Sequence, residues 1–322
     1  MKIPFHNYFE HASRIVLGCM GFGGEWDHQP YSKEDVQQMH TALDAALDSG
    51  INVFDHADIY KMGKAEQVFA EVLQQRPELR EQIVLQSKCG IRFADDHGPG
   101  RYDFSGDWIR TSVEGILKRL KVEQLDLLLL HRPDPLMQPE EVAKVFNELL
   151  DSGKVKQFGV SNMHHYQIKF LQQFLKIPLI ANQMEMSLLN YAWVDETVTA
   201  GMASKLNEQF SQGTVAYCQL NKVQLQAWGS LAKGLFTGGD LTGQPEKYVR
   251  TAKLVERLAA EYQTTKEAIV LGWLMRHPAG IQPVIGTTNI DRIKACGKAR
   301  SLLLNRNHWY ELFVSIRDEP LP

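Results

Sequence analysis

Seven positions in this 322-residue chain put a polar or aromatic side chain at, or just beyond, the end of a short apolar run: Asp55, Lys88, His131, Ser161, Asn162, Gln183 and Trp228. Tyr60 follows Asp55 within the same segment. Taken singly, each has a plainer use. Asp55 can cap a helix or loop, Lys88 can be a solvated rim lysine, His131 a loop histidine bonded to backbone, Tyr60 a half-buried aromatic, and Ser161-Asn162 the cap of a following helix. Together they can do proton chemistry. Reducing a carbonyl needs a hydride from a cofactor and a proton delivered to the oxygen as negative charge develops there. A phenol with an ordinary pKa near ~10 gives up its proton more readily beside an ammonium, which favours the phenolate, and Lys88 can supply that charge to Tyr60. Asp55 can hold the lysine charged, and a neutral His131 can hydrogen-bond and orient the carbonyl oxygen.

Such a constellation needs elements that end at one place. Strand-like runs at 15–18, 51–55, 82–88, 125–131, 155–160, 179–183, 223–228 and 282–286 alternate with stretches of helical period, the clearest at 32–49, 64–75, 105–120 and 139–152. Eight strand-helix units predict a single (β/α)8 TIM barrel over residues 1–322, an α/β fold whose active site is built at the carboxyl ends of the strands. Leu127-Leu128-Leu129-Leu130 is continuously apolar, as a strand covered on both faces should be. An open doubly wound sheet shares the alternation. Against it, Gly21-Phe22-Gly23-Gly24 lacks the third glycine of a Rossmann phosphate loop and has no helix directly after it. Two polar segments, 89–105 and 192–221, are longer than a minimal unit requires and are expected to be functional loops. Ser32 and Asp35 predict a capped helix start, and Trp309, Leu312, Phe313 and Ile316 a last helix within 305–322.

The bulk composition narrows the partners. A net charge of −3, with lysines and arginines dispersed, gives no footprint for nucleic acid and predicts a small-molecule partner. No apolar stretch approaches the roughly 18 residues of a membrane span, and the first residues lack a secretory h-region, which predicts a cytoplasmic location. The four cysteines, Cys19, Cys89, Cys218 and Cys296, form no C-x-x-C pair and are expected to be free thiols. His164-His165 has no acidic or cysteine partner nearby, so it reads as a polar helix start, and no metal is expected. The segments after the first and third strands suggest Trp26, Ile91, Phe93 and Tyr102 as a substrate pocket. Nothing in the sequence bears on oligomeric state.

Several blocks in order resemble the aldo-keto reductase family, over 15–309. Phe54-Asp55-His56-Ala57-Asp58-Ile59-Tyr60 is similar to its D-x-A-x-x-Y signature, Ser87-Lys88 to its S-K, and Leu125-Asp126-Leu127-Leu128-Leu129-Leu130-His131 to its strand-borne histidine. Gly153-Lys154-Val155, Gly159-Val160-Ser161-Asn162 and Asn182-Gln183-Met184-Glu185 resemble further blocks. The resemblance implies a tetrad of Asp55, Tyr60, Lys88 and His131, with Tyr60 as general acid. It implies NADPH, lying extended across the barrel mouth, with NADH less favoured. Ser161, Asn162 and Gln183 would hold the nicotinamide carboxamide and Trp228 would stack on the ring. Cys19, Met20, Gly229, Ser230, Leu231, Gly286, Thr287, Thr288 and Arg292 would line the rest of the cofactor. Two departures stand out. Gly286 replaces a lysine that in many members meets the 2′-phosphate, leaving Arg292, and Lys61-Met62 follows Tyr60 where glycine is common.

Two other functions fit parts of the pattern. Lys88 could form a Schiff base in a lyase. A regulatory protein could keep the fold and bind the cofactor with little turnover.

Overall fold

The computed structural model describes residues 2–96, 98–200, 202, 210–211 and 213–322. Eight parallel strands close a barrel: β1 (Val16–Gly18), β2 (Val53–Asp55), β3 (Val84–Cys89), β4 (Leu125–Leu130), β5 (Val155–Ser161), β6 (Leu179–Glu185), β7 (Gln224–Trp228) and β8 (Gln282–Ile285). Around the ring the order is β1-β8-β7-β6-β5-β4-β3-β2, and Val16 closes it by pairing with both Val53 and Val284. Helices α1 (Lys33–Asp48), α2 (Lys64–Gln75), α3 (Gly106–Leu120), α4 (Pro139–Asp151) and α5 (His165–Gln172) follow β1 to β5 in turn. After β6 come α6 (Ala192–Val198) and α7 (Thr214–Leu220), after β7 α8 (Glu246–Glu261) and α9 (Lys266–Met275), and after β8 α10 (Ile290–Gly297) and α11 (Arg306–Arg317).

The period of two in each strand decides what enters the barrel. In β4, Leu127 and Leu129 join Val16, Val53, Val84, Ile180 and Val284 inside, while Leu128 and Leu130 belong to the outer core. The same phase in β3 carries Val84, Gln86 and Lys88 inward. In β2 it carries Val53 and Asp55. Phe5, fully buried in the first turn, closes the amino-terminal end and donates its backbone N–H to Gln224 Oε1 at 3.1 Å. The opposite end is left to the polar side chains.

Several expectations hold in detail and several need correction. Ser32 caps α1 reciprocally with Asp35, as predicted. Ser161 and Asn162 do not cap α5. Ser161 completes β5, Asn162 takes a left-handed turn at φ 59°, and the cap is His164, whose Nδ1 accepts from the Gln167 backbone at 3.2 Å. The segment 192–221 is no plain polar loop: it contains α6 and α7, and its central part lies outside the described residues. Segment 89–105 folds into a two-stranded ribbon pairing Ile91 with Tyr102 and Arg92 with Arg101. Among the described residues, no helix is long and apolar enough to cross a membrane. The four cysteines are free and buried.

Candidate active site

At the carboxyl end of the barrel, β2 and β3 lie side by side with Asp55 opposite Gln86 in register. The next inward residue of β3 is therefore Lys88, whose fully buried ammonium meets three acceptors: Asp55 Oδ2 at 2.7 Å, Tyr60 Oη at 2.9 Å and the His56 carbonyl at 2.9 Å. An ammonium has three hydrogens, so this one is fully engaged. Tyr60 is held by a turn in which its N–H bonds the Ala57 carbonyl. His131 follows β4, its N–H bonded to the Cys89 carbonyl and its ring edge-on to Tyr60 at 6.0 Å between centroids.

Electrostatics set the protonation of these groups. Burial works against a charged Lys88, but Asp55 and Tyr60 together overcome it and hold the ammonium above its ordinary value. For Tyr60 the expectation was the reverse of what the site shows. Burial pushes its pKa up, and the Lys88 charge offsets only part, because a phenolate loses more from desolvation than one neighbouring charge returns. Tyr60 is thus protonated at neutral pH. Burial, Lys88 and Arg132 push His131 down to about 2, so the imidazole is neutral. Its Nδ1 is sealed without a partner among the described residues, so no contact fixes its tautomer.

Beneath the tetrad lies a layer that the sequence reading missed. Gln86 donates to Asp55 Oδ1 at 2.5 Å and exchanges two bonds of 2.9 Å with Gln226, which continues to Gln282 Oε1 at 3.0 Å, and Gln282 donates to the Ser13 carbonyl at 2.7 Å. Gln183 donates to Asp55 Oδ1 and to Gln226, each at 3.1 Å. Four strands thus fix the Asp55 carboxylate through one buried amide network, in which each unmade bond would leave a polar group desolvated. The signal for it, glutamine in phase with Asp55 and Lys88, was present but looked like ordinary strand residues.

A cleft of about 550 Å³ opens above this floor, and its wall includes Asp55, Tyr60, His131, Ser161, Asn162, Gln183 and Trp228. Met20, Gly229, Ser230, Leu231, Gly286, Thr287 and Arg292 also reach it, with Trp26 and Ile91 on the other side. Five expected positions do not, the first being Lys88, which is fully buried and meets the cleft only through Asp55 and Tyr60. Cys19 is fully buried below the surface, with its Sγ turned to the Leu17 carbonyl, and Thr288 packs its methyl toward Gly21. Phe93 and Tyr102 are exposed on the ribbon, which stands off the rim so that only its first residue, Ile91, reaches the cleft. Lys233 and Arg132 line the cleft although neither was singled out.

The amides expected to meet a carboxamide are already engaged. Asn162 Nδ2 donates to Ser161 Oγ at 2.8 Å and to the His131 carbonyl at 3.2 Å, its Oδ1 accepts from Trp228 Nε1 at 3.0 Å, and Ser161 Oγ donates to the Gln183 carbonyl at 2.9 Å. With both Gln183 amide hydrogens also in use, the amide donors are occupied, while the side-chain carbonyl oxygens of Gln183 and Asn162 keep lone pairs for the N–H groups of a carboxamide. The cleft otherwise suits a phosphate-bearing dinucleotide. It has open space at Gly286, with Lys233 in the turn after β7 and Arg292 in the first turn of α10.

Comparison with known proteins gives the family and the fold. A 6-dehydroglucose reductase of Agrobacterium fabrum is 35% identical, over 94% of this chain and 93% of its own length. Oxidoreductase YdhF of Escherichia coli is 34% identical over 93% and 92%. Among solved structures, a glycerol dehydrogenase from Gluconobacter oxydans shares the fold with a TM-score of 0.78 at 22% identity, covering 97% of this chain and 94% of that one. The profile of the Aldo/keto reductase family matches residues 14–312, and with the barrel and these relatives it shows that the chain is an enzyme belonging to that family.

Proposed function

We propose that the enzyme reduces an aldehyde or ketone to an alcohol with NADPH, and that Tyr60 delivers the proton. The observation that carries this reading is the buried chain Asp55–Lys88–Tyr60 beside a neutral His131 on the floor of the cleft. Bound there, the reduced nicotinamide supplies the hydride. Neutral His131 and the Tyr60 hydroxyl hydrogen-bond the carbonyl oxygen, and the phenol gives up its proton as that oxygen becomes negative. Lys88 then steadies the phenolate that burial alone would disfavour. Asp55, fixed by Gln86 and Gln183, keeps the ammonium charged. Lys233 and Arg292 hold the phosphates, which fits NADPH better than NADH. Lys88 is unsuited to Schiff-base chemistry, since a fully buried ammonium with three acceptors has no free lone pair.

The test is a carbonyl panel followed by NADPH absorbance. A dehydrogenated sugar is one arm, because two relatives bear the name 6-dehydroglucose reductase. Tyr60→Phe is expected to keep cofactor binding and lose turnover by about 10²–10⁴-fold, the scale for a lost general acid. Near-normal reduction of a simple aldehyde by this variant would reject the assignment. Absence of single-turnover oxidation of bound NADPH by the native enzyme would favour a binding role instead.

A further inference from the structure

We infer that Arg132 is a specificity-determining residue that selects a carbonyl substrate carrying a carboxylate. The inference rests on the reductase reading and names its substrate class. Arg132 directly follows His131 and lines both the cleft and a second cavity of about 460 Å³, which share Arg132, Asn162 and Trp228 in their walls. Its guanidinium lies over the Trp228 ring at 5.5 Å from the centroid. Among the described residues it has no hydrogen bond and no ion pair. Nearby acids are engaged elsewhere. Asp134 accepts from the Phe104 and Leu136 backbone N–H groups at 2.8 Å each, which staples the loop, and Glu185 accepts from Asn190 at 2.7 Å.

A half-buried guanidinium with no ion pair among the described residues keeps its fork of N–H donors open to a ligand. The ring order says what that is. β4, which carries His131 and Arg132, lies four strands from β8 in either direction, so it is diametrically opposite the Gly286–Arg292 side. Lys233, after β7, and Arg292, in the first turn of α10, are placed for cofactor phosphates, whereas Arg132 is placed beside the group that faces the carbonyl. A planar fork with one positive charge is matched by a carboxylate, which accepts two parallel hydrogen bonds and leaves no excess charge. The aromatic face of Trp228 keeps that fork from collapsing away from the cleft.

The experiment compares kcat/KM for succinic semialdehyde and 4-carboxybenzaldehyde, each against its methyl ester, with NADPH saturating. The native enzyme is expected to prefer each acid by about 10-fold or more. Arg132→Leu should lower the acids by roughly 10- to 100-fold, chiefly through KM, and the esters by no more than about threefold. Arg132→Lys should restore part of the preference. Binding of 4-hydroxybutyrate and 4-(hydroxymethyl)benzoate to the NADP-loaded enzyme, read by tryptophan fluorescence, reports the same contact without turnover. Acid-selective binding lost in Arg132→Leu, with no reduction of any aldehyde, would keep this inference and sink the reductase reading. Reduction of acids and esters at equal kcat/KM, or an equal loss for both in Arg132→Leu, overturns the inference alone.

Discussion

Asp58, two residues before Tyr60, and Glu66, bonded to the Ser87 that precedes Lys88, add two more carboxyls beside the site. Glu66 is fully buried and accepts from Ser87 at 2.8 Å and from Arg119 at 2.7 Å. Asp58 is worse placed. The residue is half-buried, its Oδ1 is sealed without a partner among the described residues, and burial with the nearby Glu66 charge pushes its pKa up to about 7. An unfolded aspartate ionises near ~3.9, so between that value and about 7 the folded chain holds a proton that the unfolded chain has lost. The contribution is fully present below the unfolded pKa and disappears as pH rises through about 7. Asp58→Asn keeps the shape without the charge. It should raise the unfolding temperature at pH 8 while changing it little at pH 4. An equal shift at both would show that Asp58 does not titrate as described. Motif spacing made Asp55, Tyr60 and Lys88 legible in the sequence, but not this behaviour. Neither was the lack of an ion pair at Arg132 among the described residues, because such a lack is a property of space and not of order along the chain.

The turn that carries Tyr60 shows how an element stores strain for a site. Lys61 and Met62 both adopt left-handed backbone, φ 52° and 57°, between Tyr60 and α2. Side chains with a Cβ are disfavoured there by roughly 1 kcal/mol or more each, and such residues persist only where surrounding contacts fix them. Those contacts are visible: the Met62 N–H bonds the Ile59 carbonyl at 3.0 Å, and Lys64, just past the turn, pairs with Asp27 at 2.6 Å. Lys61→Gly should therefore be more stable than Lys61→Ala by about 1 kcal/mol, since both lose the side chain but only glycine relaxes the backbone. Thermal or urea unfolding of the pair decides it, and an alanine variant as stable as the glycine one would remove strain from the account. The departure from glycine at 61 and 62 was readable from sequence, its conformation was not. Strand ends were legible to within two residues because apolar runs stop where water begins. The Gln86–Gln226 bonds were not, since 140 positions separate them until the barrel closes.

At the scale of the molecule, the chain is negative overall at −3, yet its cleft is not. Among the described lining residues, Arg132, Lys233 and Arg292 carry positive charge, and the one acid, Asp55, is neutralised by Lys88. A concave surface with low-dielectric walls focuses such a field and draws in anions, an effect that salt weakens. Arg292 was expected to distinguish the 2′-phosphate alone. Lys233 now stands in the same cleft, and Arg292 is itself only 3.6 Å from Glu267, which tempers its charge. Arg292→Ala should weaken NADPH binding by about 10- to 100-fold and leave NADH nearly unchanged, the scale of a charge-assisted hydrogen bond to a phosphate that NADH lacks. Removing Lys233 as well should weaken both cofactors, because both carry the pyrophosphate, and should flatten the salt dependence of NADPH binding. Gly286→Lys should act in the opposite direction. A Cβ at 286 meets no atom within 4 Å and its φ is not positive, so neither space nor backbone opposes the change. Quenching of Trp228 fluorescence, titrated with each cofactor at low and high salt, measures all three variants. If Arg292→Ala costs NADPH and NADH equally, Arg292 braces α10 through Glu267 instead of reading the phosphate, and the cofactor preference must come from elsewhere in the cleft.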